Sequence, residues 1–141
     1  MARILVAEDE VSLREFVQRA LAHHGHDVFA VRDGAEALHE LQSDNAYDLL
    51  LTDIVMPVMD GIALSLKVAK DFPELRILLM TGYAAERQRA YNLEDLIHDV
   101  ISKPFTLSEI CEKVEEALKA TKQSIEAAST TDYGLSPKNK K

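Results

Sequence analysis

Two stretches of the chain, Leu49-Leu50-Leu51 and Ile77-Leu78-Leu79-Met80, are apolar at every position. A strand with one wet face alternates apolar and polar residues. A run without alternation, bounded by turn residues, belongs in a sheet covered on both faces, and such sheets are parallel with helices on each side. Three further short segments have β-compatible composition, so strands are expected at about 3–7, 27–31, 47–52, 75–80 and 99–102. Helical spacing fills the gaps near 12–24, 34–43, 62–71, 84–96 and 106–119. The apolar stripes are Leu13, Phe16, Val17, Ala20 and Leu21 in the first helix and Ala35, Leu38 and Leu41 in the second. In the fifth the stripe is Leu107, Ile110, Cys111, Val114 and Leu118. Five βα units make a right-handed, doubly wound α/β fold with expected strand order 2-1-3-4-5.

The breakers fall where this scheme needs them. Gly25 ends the first helix and Asp33-Gly34 opens the second. Pro73 separates the third helix from the fourth strand. Asp60-Gly61 supplies loop and helix-start geometry. Thr106 with Glu109 has the T-x-x-E pattern of a capping box. Past Ala120 the periodicity stops. Residues 1–120 are expected to form one domain, and 121–141, polar and ending Lys138-Asn139-Lys140-Lys141, a disordered tail or a remnant of cloning.

Composition narrows the function classes. The net charge of −8 opposes non-specific nucleic-acid binding and attraction to an anionic membrane. The apolar stretches are too short to span a bilayer, and the N-terminus lacks a signal-peptide core, so membrane insertion is not expected and a cytoplasmic location is. Cys111 is a lone cysteine, read as apolar filler.

Asp53 closes the third strand's apolar run and precedes a Pro/Gly loop, which puts a carboxylate at the C-terminal edge of the sheet, where open α/β folds keep their chemistry. Glu8 and Asp9 follow the first strand, Thr81 the fourth and Lys103 the fifth. With strands one and three adjacent, the three acids converge. Like charges that close repel unless a cation lies between them, and a hard divalent ion, most simply Mg2+, suits a sparse oxygen site. A carboxylate beside Mg2+ can attack phosphorus and become an aspartyl phosphate. Lys103 can then pair with one phosphoryl oxygen and the Thr81 hydroxyl can donate to another, while Gly82 leaves room for close approach.

The motifs Glu8-Asp9, Asp53 with Met56-Pro57-x-x-Asp60-Gly61, Thr81-Gly82 and Lys103-Pro104-Phe105 occur in that order. The set resembles the CheY-like receiver domain of bacterial two-component response regulators over about residues 2–119, which implies a flavodoxin-like fold. It implies phosphorylation at Asp53, metal ligation by Asp9, Asp53 and the Val55 backbone carbonyl, Glu8 acting through water, and phosphate contacts from Thr81 and Lys103. It also implies a cis Lys103–Pro104 bond, the one bond type where cis is inexpensive. The donor would be a histidine kinase or histidine phosphotransferase. Segments 50–64, 80–90 and 100–106 resemble a subfamily of single-domain regulators without an output domain. Those regulators receive phosphate through a cell-cycle phosphorelay, and their unphosphorylated form primes the ClpXP protease for substrates.

The chain departs from the family at Val100, where most receivers place an aromatic ring that moves with the threonine. Tyr83 either takes over part of the switching or is merely the half-buried start of the fourth helix. Arg87 and Tyr91, four residues apart on one helix face, are candidates for a partner contact, whereas Arg89 is read as solvated. The competing function is a metal-dependent phosphohydrolase working through an aspartyl phosphate. Such enzymes place a second acid two residues past the nucleophile, where this chain has Val55.

Overall fold

The computed structural model describes residues 1–44 and 46–120; the expected tail at 121–141 lies outside the described residues. Five strands, β1 (Arg3–Ala7), β2 (Asp27–Val31), β3 (Leu49–Asp53), β4 (Arg76–Thr81) and β5 (Asp99–Ser102), alternate with five helices. The helices are α1 (Val11–His23), α2 (Gly34–Ser43), α3 (Gly61–Asp71), α4 (Ala84–Tyr91) and α5 (Leu107–Lys119). The strands form one parallel sheet in the order β2-β1-β3-β4-β5.

The unbroken apolar runs are explained by two cores. Successive strand residues point to opposite faces. Ile4, Val6, Leu49, Leu51, Leu78 and Met80 pack with Val17, Leu21, Ile110 and Val114 of α1 and α5. Leu5, Leu50, Ile77 and Leu79 pack on the other face with Ala37, Leu41, Leu64, Val68 and Ala90 of α2, α3 and α4. Each fully buried leucine or isoleucine contributes about 1.5–3 kcal/mol by leaving water.

The local caps behave as the sequence suggests. Asp33 accepts from the Glu36 N–H at 2.8 Å, and Asp60 from the Ala63 N–H at 2.8 Å. Thr106 and Glu109 exchange both bonds of a capping box. Gly25 has φ +92°, the left-handed conformation that ends α1 without a Cβ clash.

Three expectations need correction. The fourth helix ends at Tyr91, not near 96. Beyond it the backbone continues in tighter turns, with Leu93 N–H to the Ala90 carbonyl, Glu94 to Tyr91 and Leu96 to Leu93. The third and fourth strands each run one residue further than expected, so Asp53 and Thr81 are the last rungs of their ladders, with Asp53 opposite Met80 and Thr81 opposite Ser102. Phe16 and Leu107, assigned to buried stripes, are 38% and 45% exposed. Leu107 is the first residue of α5, and Phe16, in the middle of α1, meets Phe105 with ring centroids 6.5 Å apart.

Candidate phosphoacceptor site

Strand ends deliver the site. Parallel pairing sets Ala7 beside Thr52, so the residues after β1 and at the end of β3 emerge together. Ligand oxygens of Glu8, Asp9 and Asp53 all lie within 4.8 Å of one another. Glu8 and Asp53 are buried and Asp9 is exposed. Lys103, from the end of β5, reaches across: its Nζ is 3.0 Å from Asp53 Oδ2 and 3.3 Å from Glu8 Oε1. The remaining oxygens accept backbone N–H groups, Asp53 Oδ1 from Ile54 at 2.8 Å and Glu8 Oε2 from Glu10 at 3.0 Å.

These groups line an open cavity of about 620 Å3 together with Val55, Gly82, Tyr83, Glu86 and Pro104. A larger cavity, about 930 Å3, opens at the opposite edge of the sheet around His26, Phe72 and Arg76. It lacks the three-acid cluster, so chemistry and not volume marks the site. The Lys103–Pro104 peptide bond is cis.

Electrostatics follow from crowding in a dry pocket. Burial pushes the Glu8 carboxyl up to about 7, against the lowering effect of the Glu10 N–H; the nearby Asp53 charge adds to the rise. Burial also raises Asp53, opposed by the hydrogen bond and charge of Lys103. Lys103 is desolvated, which disfavours its charge, but the two carboxylates outweigh this and hold it above its ordinary value.

In the metal-free protein the raised Glu8 carboxyl makes folding less favourable as pH rises from 4.5 to about 7. A folded carboxyl that keeps its proton to about pH 7 competes with an unfolded one that loses it near 4.5. Below pH 4.5 both states are protonated and no penalty exists. Between 4.5 and 7 the unfolded chain ionises first, so stability falls, and above 7 it levels. The fall is on the order of 3 kcal/mol. With a chelator present, Glu8→Gln is expected to remove most of that fall; denaturant midpoints of both proteins at pH 4.5 and 7.5 would show it, and parallel pH curves would refute it.

Thr81 and Gly82 lie beside the acids, but their donors are engaged elsewhere. The Thr81 hydroxyl donates toward the Tyr83 carbonyl at 3.2 Å and the Glu86 carboxylate at 3.4 Å, and the Gly82 N–H donates to the same Glu86 oxygen at 3.3 Å. Glu86 escaped the sequence reading. Its signal was an acid in the first turn of α4 behind an N-cap, Tyr83, whose side chain caps nothing. Tyr83 is 71% exposed, which corrects the half-buried alternative. Tyr83, Arg87 and Tyr91 share a shallow groove of about 260 Å3 with Thr81, Gly82 and Lys103. Arg89 is not simply solvated: it pairs with Asp60 at 3.1 Å, tying α4 to the start of α3. That partner is 29 residues away in sequence, so helix periodicity could not reveal it.

Does the acid cluster suit Mg2+? The ion prefers oxygen donors, keeps several waters and uses one or two carboxylates. Two buried carboxylates beside an exposed third, at the mouth of an open cavity, meet those needs.

Strand order and helix placement make this a CheY-like receiver fold. The chain belongs to the response regulator receiver domain family, whose model matches residues 4–115. It is 40% identical over 120 residues to the response regulator receiver protein CpdR of Brucella abortus (strain 2308), covering 85% of this chain and 99% of that protein. To the response regulator MprA of Mycobacterium avium (strain 104) it is 32% identical over 139 residues, covering 96% of this chain and 60% of that protein. Among solved structures it is similar to the response regulator TrrA of Thermotoga maritima, determined in complex with Mg2+–BeF. There the TM-score is 0.74 and the identity 31%, over 83% of this chain and 99% of that one. Family membership makes this a protein of two-component signalling. No helix among the described residues is long and apolar enough to cross a membrane.

Proposed function

We propose that residues 1–120 are a receiver that takes a phosphoryl group on Asp53 from a histidine phosphotransferase or histidine kinase and signals through protein–protein contact. One observation carries the reading: the Lys103 ammonium stands 3.0 Å from Asp53 inside a cluster of three acids at the sheet's C-terminal edge. Asp9, Asp53 and the Val55 carbonyl would hold Mg2+, with Glu8 contributing through water. The bound ion would supply charge neutralisation for the phosphoryl oxygens.

This chain's own groups account for the rest. An Asp53 carboxylate oxygen forms the new bond to phosphorus as the donor's P–N bond breaks. The electron pair leaves with the imidazole nitrogen, which takes up a proton from the donor's side or from solvent. Lys103 pairs with a phosphoryl oxygen as a compact charge. Thr81 and Gly82 supply hydroxyl and N–H donors. The backbone bond from Ile54 to Asp53 Oδ1 fixes the carboxylate for attack.

The similarity to CpdR along nearly that whole protein supports the finer proposal, a phosphorylation-controlled adaptor for the ClpXP protease in cell-cycle regulation, with the unmodified form active. Tyr83, Arg87 and Tyr91, lining one groove beside Lys103, are the face proposed for partner contact and switching.

Incubation with acetyl phosphate and Mg2+ tests this reading. One phosphoryl group per chain should appear, and borohydride reduction should convert residue 53 to homoserine. The same sample, before and after uptake, is then offered to purified ClpX, with retention expected of the unmodified form. Phosphate on another residue would sink the acceptor assignment. Many turnovers of a phosphate monoester would favour a phosphohydrolase instead. Equal retention of both forms would remove the adaptor role and leave the receiver intact.

A further inference from the structure

A carboxylate with no part in that chemistry faces the same cavity. Glu86, third residue of α4, is only 9% exposed. Its Oε1 receives the Gly82 N–H and lies within reach of the Thr81 hydroxyl. Those two donors are the ones assigned to the phosphoryl oxygens. The hydroxyl has a single proton, so a group that claims it denies it to others. A carboxylate and a phosphoryl group are both anionic acceptors, and both cannot hold the same donors at once. Among the described residues no ion pair neutralises Glu86, whereas Lys103 is committed to Glu8 and Asp53.

Building on the phosphoacceptor reading, we infer that the Glu86 carboxylate is a resident occupant of the phosphoryl site. It is a positioning residue that holds the Gly82 N–H and shares the Thr81 hydroxyl with the Tyr83 carbonyl, 3.2 Å away, until the phosphoryl group displaces it. Displacement then cuts the link between the end of β4 and the first turn of α4. Glu86 lies one residue before Arg87, whose N–H bonds the Tyr83 carbonyl at 3.1 Å, so its release loosens the turn that presents Tyr83 and Arg87. The state of Asp53 thereby reaches the proposed partner face without an aromatic ring at position 100.

The test uses the full chain with Mg2+ and beryllofluoride, an anion that adds to carboxylates much as a phosphoryl group does. Loss of the two competing hydrogen bonds in Glu86→Ala should lower the beryllofluoride concentration for half-saturation about tenfold. Glu86→Gln, which keeps the shape and loses the charge, should fall between the two. Hydrogen exchange adds a readout that a merely structural role would not produce. In the wild type the Arg87 amide should exchange faster once the anion binds, and in Glu86→Ala that difference should vanish. Equal or weaker anion binding by Glu86→Ala overturns the inference. If that variant does not fold, Glu86→Gln decides, and half-saturation equal to wild type overturns it. Wild-type protein that binds no beryllofluoride, or binding that survives Asp53→Ala, overturns the phosphoacceptor reading itself.

Discussion

Lys103→Met is expected to slow phosphoryl uptake from acetyl phosphate by about 10²-fold, the usual effect of removing a fixed donor from a site where anionic charge gathers. Methionine keeps an unbranched apolar stem one atom shorter than lysine, so the lost ammonium charge more than lost bulk is what the variant reports. The ammonium is the one cation placed against both Glu8 and Asp53 among the described residues, at 3.3 and 3.0 Å. Without it the two buried carboxylates face each other uncompensated. Removing one partner of a buried ion pair costs about 3–5 kcal/mol when the other charge cannot escape. Here it can escape by taking up protons, since burial already raises both carboxyls. The metal-free variant should therefore lose stability at pH 8 and recover much of it at pH 5. Uptake rates and denaturant midpoints at the two pH values check both halves. Uptake within threefold of wild type would show that Lys103 does not serve the transfer.

Gly61→Ala is expected to destabilise the protein by about 3 kcal/mol or more, at the upper end of what overpacking costs. Gly61 opens α3, and its N–H bonds the Ile54 carbonyl at 2.7 Å. A Cβ there would overlap the Asp53 carbonyl oxygen and sit 2.9 Å from both the Asp53 carbonyl carbon and Ile54 Cα. The obstacle is backbone at the end of a central strand, so no side-chain rotation relieves it. Relief requires α3 to lift from β3 or Asp53 to move. Urea unfolding measures the cost; a loss below about 1 kcal/mol would mean that the loop from 54 to 60 yields more readily than its bonding suggests.

What the sequence revealed, and what it hid, divides by range. Caps at Asp33, Asp60 and Thr106 were legible because donor and acceptor lie three residues apart. The sheet was legible because strands buried on both faces leave no polar position to disguise them. The same runs placed Asp53 and Thr81 at the C-terminal edge of the sheet, although each is the last residue of its strand and not the first beyond it. Hidden features depend on partners far along the chain. Arg89 reads as one more surface charge until Asp60 stands beside it. Glu86 reads as a good N-terminal acid for a helix until its oxygen is seen to reach back past the N-cap. Phe16 and Leu107 obey helical periodicity, but periodicity gives the direction of a face and not how far the neighbouring elements extend over it. Gly61 was recognised as turn chemistry, whereas its decisive property is the backbone pressed against it.

The contrast between β3 and α4 gives the molecule a mechanical asymmetry. The strand bearing Asp53 is buried along its whole length and clamped by ladders on both edges. The helix across the cavity buries just Glu86 and Ala90. Elements with few buried side chains open at the lowest free energy. One wall behaves as an anvil and the other as a latch, so a disturbance at the acceptor has a compliant direction in which to travel.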